Sequence, residues 1–233
     1  MLRVDAPYFV PLRGPATPGS YTEHDPARSL KKESDDTAMY VVGVDYALNK
    51  YLLDGFQHRM DLQERWRRLR ELYRRWYGRY GVQACRVGYE RYGAQADMDY
   101  IHERQRYEGP QFDIEELAWP RDGDGSKIDR VQRLGPDLRS GRLWLPYKTD
   151  ADNLTNLQRR MVEQGNEHRI AMPIKRIDGD GKVYYLEDVF KVQLHYFPFS
   201  GKKDGPDAFS RVYDMEIEAP MPTNAMILEP DVV

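Results

Sequence analysis

The hydrophobic pattern changes period along the chain, and the changes mark out alternating strands and helices. Residues 39–46 (MYVVGVDY) form a near-continuous apolar run, as expected of a strand buried on both faces. Residues 51–60 read as a second strand, with Asn49-Lys50 as the turn between them. A weaker strand lies earlier, at residues 20–24, and ends at Asp25-Pro26. From Asp61 the period lengthens. Leu62, Trp66, Leu69, Leu72, Tyr73, Trp76 and Tyr80 fall on one face of a helix spanning residues 61–80. Asp61 caps it with Glu64 as the partner of a capping box, and Gly81 ends it.

The alternation continues to the C-terminus. A short apolar strand at residues 84–89 delivers Glu90, and a helix follows at 94–107. Residues 112–119 alternate as a strand, 126–139 read as a helix ended by Ser140-Gly141, and 142–146 as a short strand. A helix at 153–164 precedes a hairpin at 170–187 built around Asp178-Gly179-Asp180-Gly181. Helices at 188–196 and 206–217 close the chain. Residues 1–20 contain Pro7, Pro11, Pro15, Pro18, Gly14 and Gly19, which reads as an extended arm or linker ahead of one domain at 21–233. The order strand, strand, strand, helix, strand, helix, strand, helix is that of a ribonuclease H-like α/β fold: a mixed central sheet flanked by helices, here with an inserted β-hairpin near 170–187.

Composition narrows the chemistry. The formal net charge is -3 with 31% charged residues, so any nucleic-acid contact comes from a local patch. A mildly acidic balance suits a site built from carboxylates. The one cysteine, Cys85, excludes an intrachain disulfide and sits in an apolar stretch as a core residue. No apolar run approaches the ~20 residues of a membrane span.

Phosphodiester cleavage by two metal ions needs carboxylates from separate elements around ions ~3.5–4 Å apart. Mg²⁺ and Mn²⁺ prefer oxygen ligands, which makes Asp and Glu the candidates rather than His or Cys. Three places qualify: Asp25 before Pro26, Glu90 at a strand end before Gly93, and Asp204 with Asp207 around Gly205-Pro206. Each has a plainer use, as a turn, a helix-entry charge or a helix cap. Asp45 is a rival to Asp25, since it ends the most apolar strand. The helix at 61–80 carries Arg65, Arg67, Arg68, Arg70, Arg74, Arg75 and Arg79. Its basic face is either solvated with Glu64 and Glu71 as local partners or a phosphate-contacting surface. Neither Asp122-Gly123-Asp124-Gly125 nor Asp178-Gly179-Asp180-Gly181 continues into a calcium loop, and the five histidines lack metal-ligand spacing.

Four segments in order resemble the C-terminal nuclease domain of tailed-bacteriophage terminase large subunits. They are 25–45 (DPARSLKKESDDTAMYVVGVD), 84–100 (ACRVGYERYGAQADMDY), 127–146 (KIDRVQRLGPDLRSGRLWLP) and 197–208 (FPFSGKKDGPDA). The resemblance implies a metal-dependent endonuclease that cuts double-stranded DNA with two Mg²⁺ or Mn²⁺ ions. It implies Asp25, Glu90 and Asp204 as catalytic metal ligands, with Asp207 a fourth, and moves the first ligand from Asp45 to Asp25. Lys127, Arg130, Lys202 and Lys203 become the DNA contacts. The implied setting is trimming of concatemeric DNA in the host cell cytoplasm. The implied partners are an ATPase motor domain, a small terminase subunit and a portal. The motor's G-x-x-x-x-G-K-[ST] loop is not in this sequence. The rival expectations are a junction resolvase or hybrid nuclease of the same fold, and a non-catalytic DNA-binding or assembly module.

Overall fold

The computed structural model describes the backbone of residues 6–13, and residues 36–78, 82, 84–90, 95–117, 123–146, 163 and 173–215. The architecture is mixed α/β. Its elements are β1 (Ala6–Arg13), β2 (Thr37–Val44), β3 (Lys50–His58), α1 (Leu62–Trp76), β4 (Arg86–Glu90), α2 (Gln95–Glu108), β5 (Ile114–Leu117), α3 (Gly123–Gln132), α4 (Leu134–Arg139), β6 (Leu143–Trp144), β7 (Lys175–Ile177), β8 (Val183–Tyr185), α5 (Leu186–His195) and α6 (Asp204–Ser210), followed by a 3₁₀ turn at Arg211–Asp214.

Six strands form one sheet in the order β5-β4-β1-β2-β3-β6. Strands β1, β2 and β3 make an antiparallel meander. Strand β4 joins parallel to β1, β5 parallel to β4, and β6 parallel to β3. The apolar run of β2 is explained by its central place. Ala38, Tyr40, Val42 and Val44 enter a core shared with α3, α4, α5 and α6, while Met39 and Val41 enter the core under α1 and α2. A period of two sends alternate residues to opposite faces, and both faces are covered.

Strand β1 lies in the stretch expected to be an extended arm. Pro7 and Pro11 suggest a linker because they withdraw backbone donors. The parallel ladder to β4 is confined to Tyr8 and Phe9, between them. The strand expected at 20–24 lies outside the described residues, as does the helix at 153–164 apart from residue 163.

Three helices differ from their expected limits, and the one expected at 206–217 is α6 at Asp204–Ser210 followed by the 3₁₀ turn at Arg211–Asp214. Asp61 caps helix α1, its Oδ1 accepting from the Glu64 N–H at 2.7 Å, while the Glu64 carboxylate pairs with Arg67 and Arg68 in place of the expected capping box. The helix ends at Trp76 rather than near Gly81, because Gly78 adopts φ +68 and turns the chain left-handed. The helix expected at 126–139 is two helices. Pro136 has no N–H for the Gln132 carbonyl, and its ring crowds that carbonyl, so the helix breaks between α3 and α4. The expected hairpin is present as β7 and β8, with Asp178 Oδ1 accepting from the N–H groups of Asp180 and Lys182 across the turn.

Among the described residues, no helix is long and apolar enough to cross a membrane.

Candidate functional site

The site forms where the C-terminal end of β4 meets the N-terminal end of α6. In β4, Val87 and Tyr89 point into the core under α1 and α2. Alternation therefore turns Glu90 to the opposite face, where α6 packs. Helix α6 is anchored there by Ala208 and Phe209, both fully buried. The Phe209 ring packs on Phe190 at a centroid distance of 5.2 Å and on Tyr40 at 6.4 Å. Burial of such a ring contributes about 1.5–3 kcal/mol toward holding the helix in place.

The residue after Asp204 sits on a polar cushion. The Gly205 N–H donates to Gln193 Oε1 at 2.9 Å. The Tyr40 hydroxyl donates to Gln57 Oε1 at 2.8 Å directly beneath. A Cβ on residue 205 would lie 2.6 Å from the Tyr40 oxygen and 2.7 Å from Gln57 Oε1. Only glycine allows so close an approach, and that approach sets the position of Asp204.

The acids of α6 face cations from α3. Lys127 Nζ donates to Asp204 Oδ1 at 2.9 Å and lies 3.8 Å from Asp207 Oδ2. Arg130 grips Asp207 with two parallel bonds, Nε to Oδ1 at 2.7 Å and Nη2 to Oδ2 at 2.9 Å. Both members of the Arg130–Asp207 pair are buried. Burial opposes the Arg130 charge, but the hydrogen bonds and attraction of Asp207 outweigh it and raise its pKa.

Glu90 is 2% exposed, and its Oε1 atom has no hydrogen-bond partner among the described residues. Burial pushes its pKa up from the ordinary carboxylate value to about 7. The positive charges of Arg211, Arg130 and Lys127 hold it down in part, and the negative charge of Asp207 adds to the rise. Arg211, from the 3₁₀ turn, is itself buried and pairs with Asp214 at 2.7 Å. Burial lowers the Arg211 pKa, and Glu90 works against that shift.

Of the expected site residues, Glu90, Asp204, Asp207, Lys127 and Arg130 thus form one charged group. Asp25 lies outside the described residues. Lys202 pairs with Asp36 at 2.8 Å, and the Lys203 carbonyl accepts from the Asp207 N–H at 3.1 Å. Asp45 serves the β2–β3 turn. Its Oδ1 accepts from the N–H groups of Ala47 and Asn49, and its Oδ2 from Tyr51 and the Asn49 amide. Arg211, Gln193, Gln57 and Tyr40 were not anticipated. An arginine inside the apolar run at 208–213 was the available signal for Arg211.

The arginines of α1 are committed inside the molecule. Arg65 binds Asp97 at 2.6 Å, Arg67 and Arg68 bind Glu64, Arg70 binds Glu108, and Arg75 binds Asp54 and Glu71. Arg74 donates to the carbonyls of Glu108 and Gly109. The local acidic partners on this face extend to Glu108 and Asp54 as well as Glu64 and Glu71.

A divalent cation needs anionic oxygens that are not already saturated. Both oxygens of Asp207 are held by Arg130, which fits a structural acid. The unpartnered oxygen of Glu90, near Lys127, which also holds Asp204, fits a cation better. Among the described residues, no group of three or more His, Cys, Asp or Glu side chains is disposed to hold a metal ion. No protein-family model matches the chain, and no curated protein matches it significantly.

Proposed function

We propose that the chain is a ribonuclease H-like endonuclease that cuts double-stranded DNA with Mg²⁺ or Mn²⁺, as the resemblance to terminase nuclease domains implies. The strand order β3-β2-β1-β4-β5, a meander with two parallel strands added beside β1, supports the fold reading. The observation that carries the functional reading is Glu90. A carboxyl with an unmatched buried oxygen and a pKa near 7 is costly unless a ligand uses it.

In this reading Glu90 and Asp204 would hold metal together with Asp25, and Asp207 would not. When bound, the metal supplies a water of lowered pKa and neutralises charge on the leaving oxygen. Arg130 keeps Asp207 fixed, and Asp207 in turn fixes the first turn of α6 under Asp204. Glu90 would hold the metal as its carboxylate. Lys127, 16% exposed on a flexible stem, exchanges Asp204 for a DNA phosphate. Lys202 and Lys203 offer further backbone contacts. Host-cytoplasmic trimming of concatemeric DNA, with a motor, a small subunit and a portal as partners, belongs to the same proposal.

The test is nicking of supercoiled plasmid with Mn²⁺, with and without chelator. Wild type cuts, chelator stops it, and Glu90→Ala and Asp204→Ala do not cut. Cutting unchanged in both variants would overturn the reading. A second reading, a non-catalytic DNA-binding module, is favoured by Lys127 and Arg130 already neutralising the aspartates of α6. DNA binding with no Mn²⁺ uptake in calorimetry would select it.

A further inference from the structure

The end of α5 and the loop that leads into α6 present a surface the acids do not use. Phe199 is 93% exposed, Tyr196 60% and Val192 55%. Val192 and Tyr196 are one helical turn apart, so they share a face with each other. Scattered single apolar residues on a surface need no explanation, but a run of this kind does.

The loop is not loose. Phe197 and Leu194 pack against the main core. The Tyr196 N–H donates to the Val192 carbonyl at 3.2 Å and the Phe197 N–H to the Leu194 carbonyl at 3.3 Å. The Ser200 hydroxyl donates to the Lys202 carbonyl at 2.6 Å. The chain therefore half-buries Phe197 against the core and holds its neighbours outside.

Charge identifies what such rings would meet. Residues 189–203 (VFKVQLHYFPFSGKK) contain Lys191, Lys202, Lys203 and His195, and no Asp or Glu. The whole chain has 38 acids in 233 residues and a net charge of -3, so this is a local cationic stretch between Asp188 and Asp204 in an acidic protein. Lys202 pairs with Asp36 at 2.8 Å, yet its side chain is half exposed, so a phosphate can take the place of that carboxylate. Exposed aromatics interleaved with lysines match a nucleic-acid strand, whose bases stack and whose phosphates pair. Bases within a duplex have both faces covered, so an outward ring can accept only an unpaired one.

We propose that Tyr196, Phe199, Lys202 and Lys203 form a binding surface for single-stranded nucleic acid, with an unpaired base stacked on Phe199. It deepens the nuclease reading and rests on it for the idea that the strand continues toward Asp204, five residues on from Phe199. The contact itself is independent of metal.

The experiment is fluorescence anisotropy of a labelled oligothymidylate of about 12 nucleotides, with the full chain in chelator. Phe199→Ala and Tyr196→Ala each weaken binding roughly 5- to 100-fold, as loss of one stacked base would, and leave binding of a blunt duplex of equal length unchanged. An abasic oligomer binds wild type as weakly as the oligothymidylate binds Phe199→Ala. Replacing Lys202 and Lys203 together by Ala lowers the salt slope by about 1.4. The proposal fails if the wild type does not bind the oligomer. It also fails if Phe199→Ala binds it normally, or if duplex binding falls equally. Both rings are exposed, so unchanged thermal unfolding verifies that the variants fold. A protein inert on plasmid that still binds through Phe199 would overturn the nuclease reading and leave this one standing.

Discussion

Glu90 has a consequence for stability that can be read without any substrate. An unfolded glutamate titrates near its ordinary value of 4.5, and the folded one near 7. Below the first value both states hold the proton, and Glu90 costs nothing. Between the two values the folded state keeps a proton that the unfolded state has released, so stability falls as pH rises. Above about 7 the loss is complete. Comparing wild type with Glu90→Gln cancels the other groups. We expect the stability of wild type relative to the variant to drop by roughly 3 kcal/mol between about pH 4 and about pH 8. Urea unfolding in metal-free buffer measures it, and a flat difference would refute it. The two aspartates of α6 separate in the same assay. Asp207→Asn leaves Arg130 buried without its counter-charge and costs about 3–5 kcal/mol. Asp204→Asn frees a lysine that can reach water and costs about 1 kcal/mol.

Helix α6 shows how far the sequence could be followed at the level of elements. Gly205-Pro206 after Lys203 marked a helix start, and Asp204 and Asp207 were identified as its acids. The division of labour between them was not legible, because it depends on Arg130 arriving from 77 residues away. The cushion of Tyr40, Gln57 and Gln193 was hidden for the same reason. Local signals served better elsewhere. The Asp61 cap, the Glu90 strand end and the Asp178 turn all follow from neighbouring residues. The helix break before Pro136 was also local, but the apolar periodicity across 126–139 masked it. Strand β1 was obscured because its prolines signal a linker and its pairing is tertiary. The cushion gives a prediction of its own. Gly205→Ala pushes α6 off the Tyr40 oxygen and costs about 1–3 kcal/mol. It also weakens Mn²⁺ binding, whereas Tyr184→Phe, which loses the bond from the Gln57 N–H at 2.9 Å and the contact with His58 Nδ1 at 3.1 Å, lowers stability and leaves metal affinity unchanged. Calorimetric titration beside chemical unfolding distinguishes them.

Among the described residues, the sheet is buried between two cores, and the hairpin meets one of its edges. Strand β6 pairs with the first part of β3, while Arg176 and Tyr184 of the hairpin bond to Gly55, Asp54 and Gln57 in the second part. The hairpin thus covers backbone that would otherwise be open to pairing. The candidate ligands Glu90 and Asp204 lie on β4 and α6, which are far apart in the chain and held together by tertiary packing. A cation that binds both in the folded state finds no such pair in the unfolded chain, so binding is transmitted to global stability. At about 100 times its dissociation constant Mn²⁺ adds ~2.7 kcal/mol. For a chain of this length that raises Tm by roughly 5–10 °C. Glu90→Gln and Asp204→Asn each abolish the shift. Asp45→Asn loosens the β2–β3 turn and lowers the starting Tm, yet keeps the full Mn²⁺ shift, because its carboxylate serves only that turn. A shift lost in Asp45→Asn and kept in Glu90→Gln would move the cation to the end of β2 and reverse the choice between the two acids.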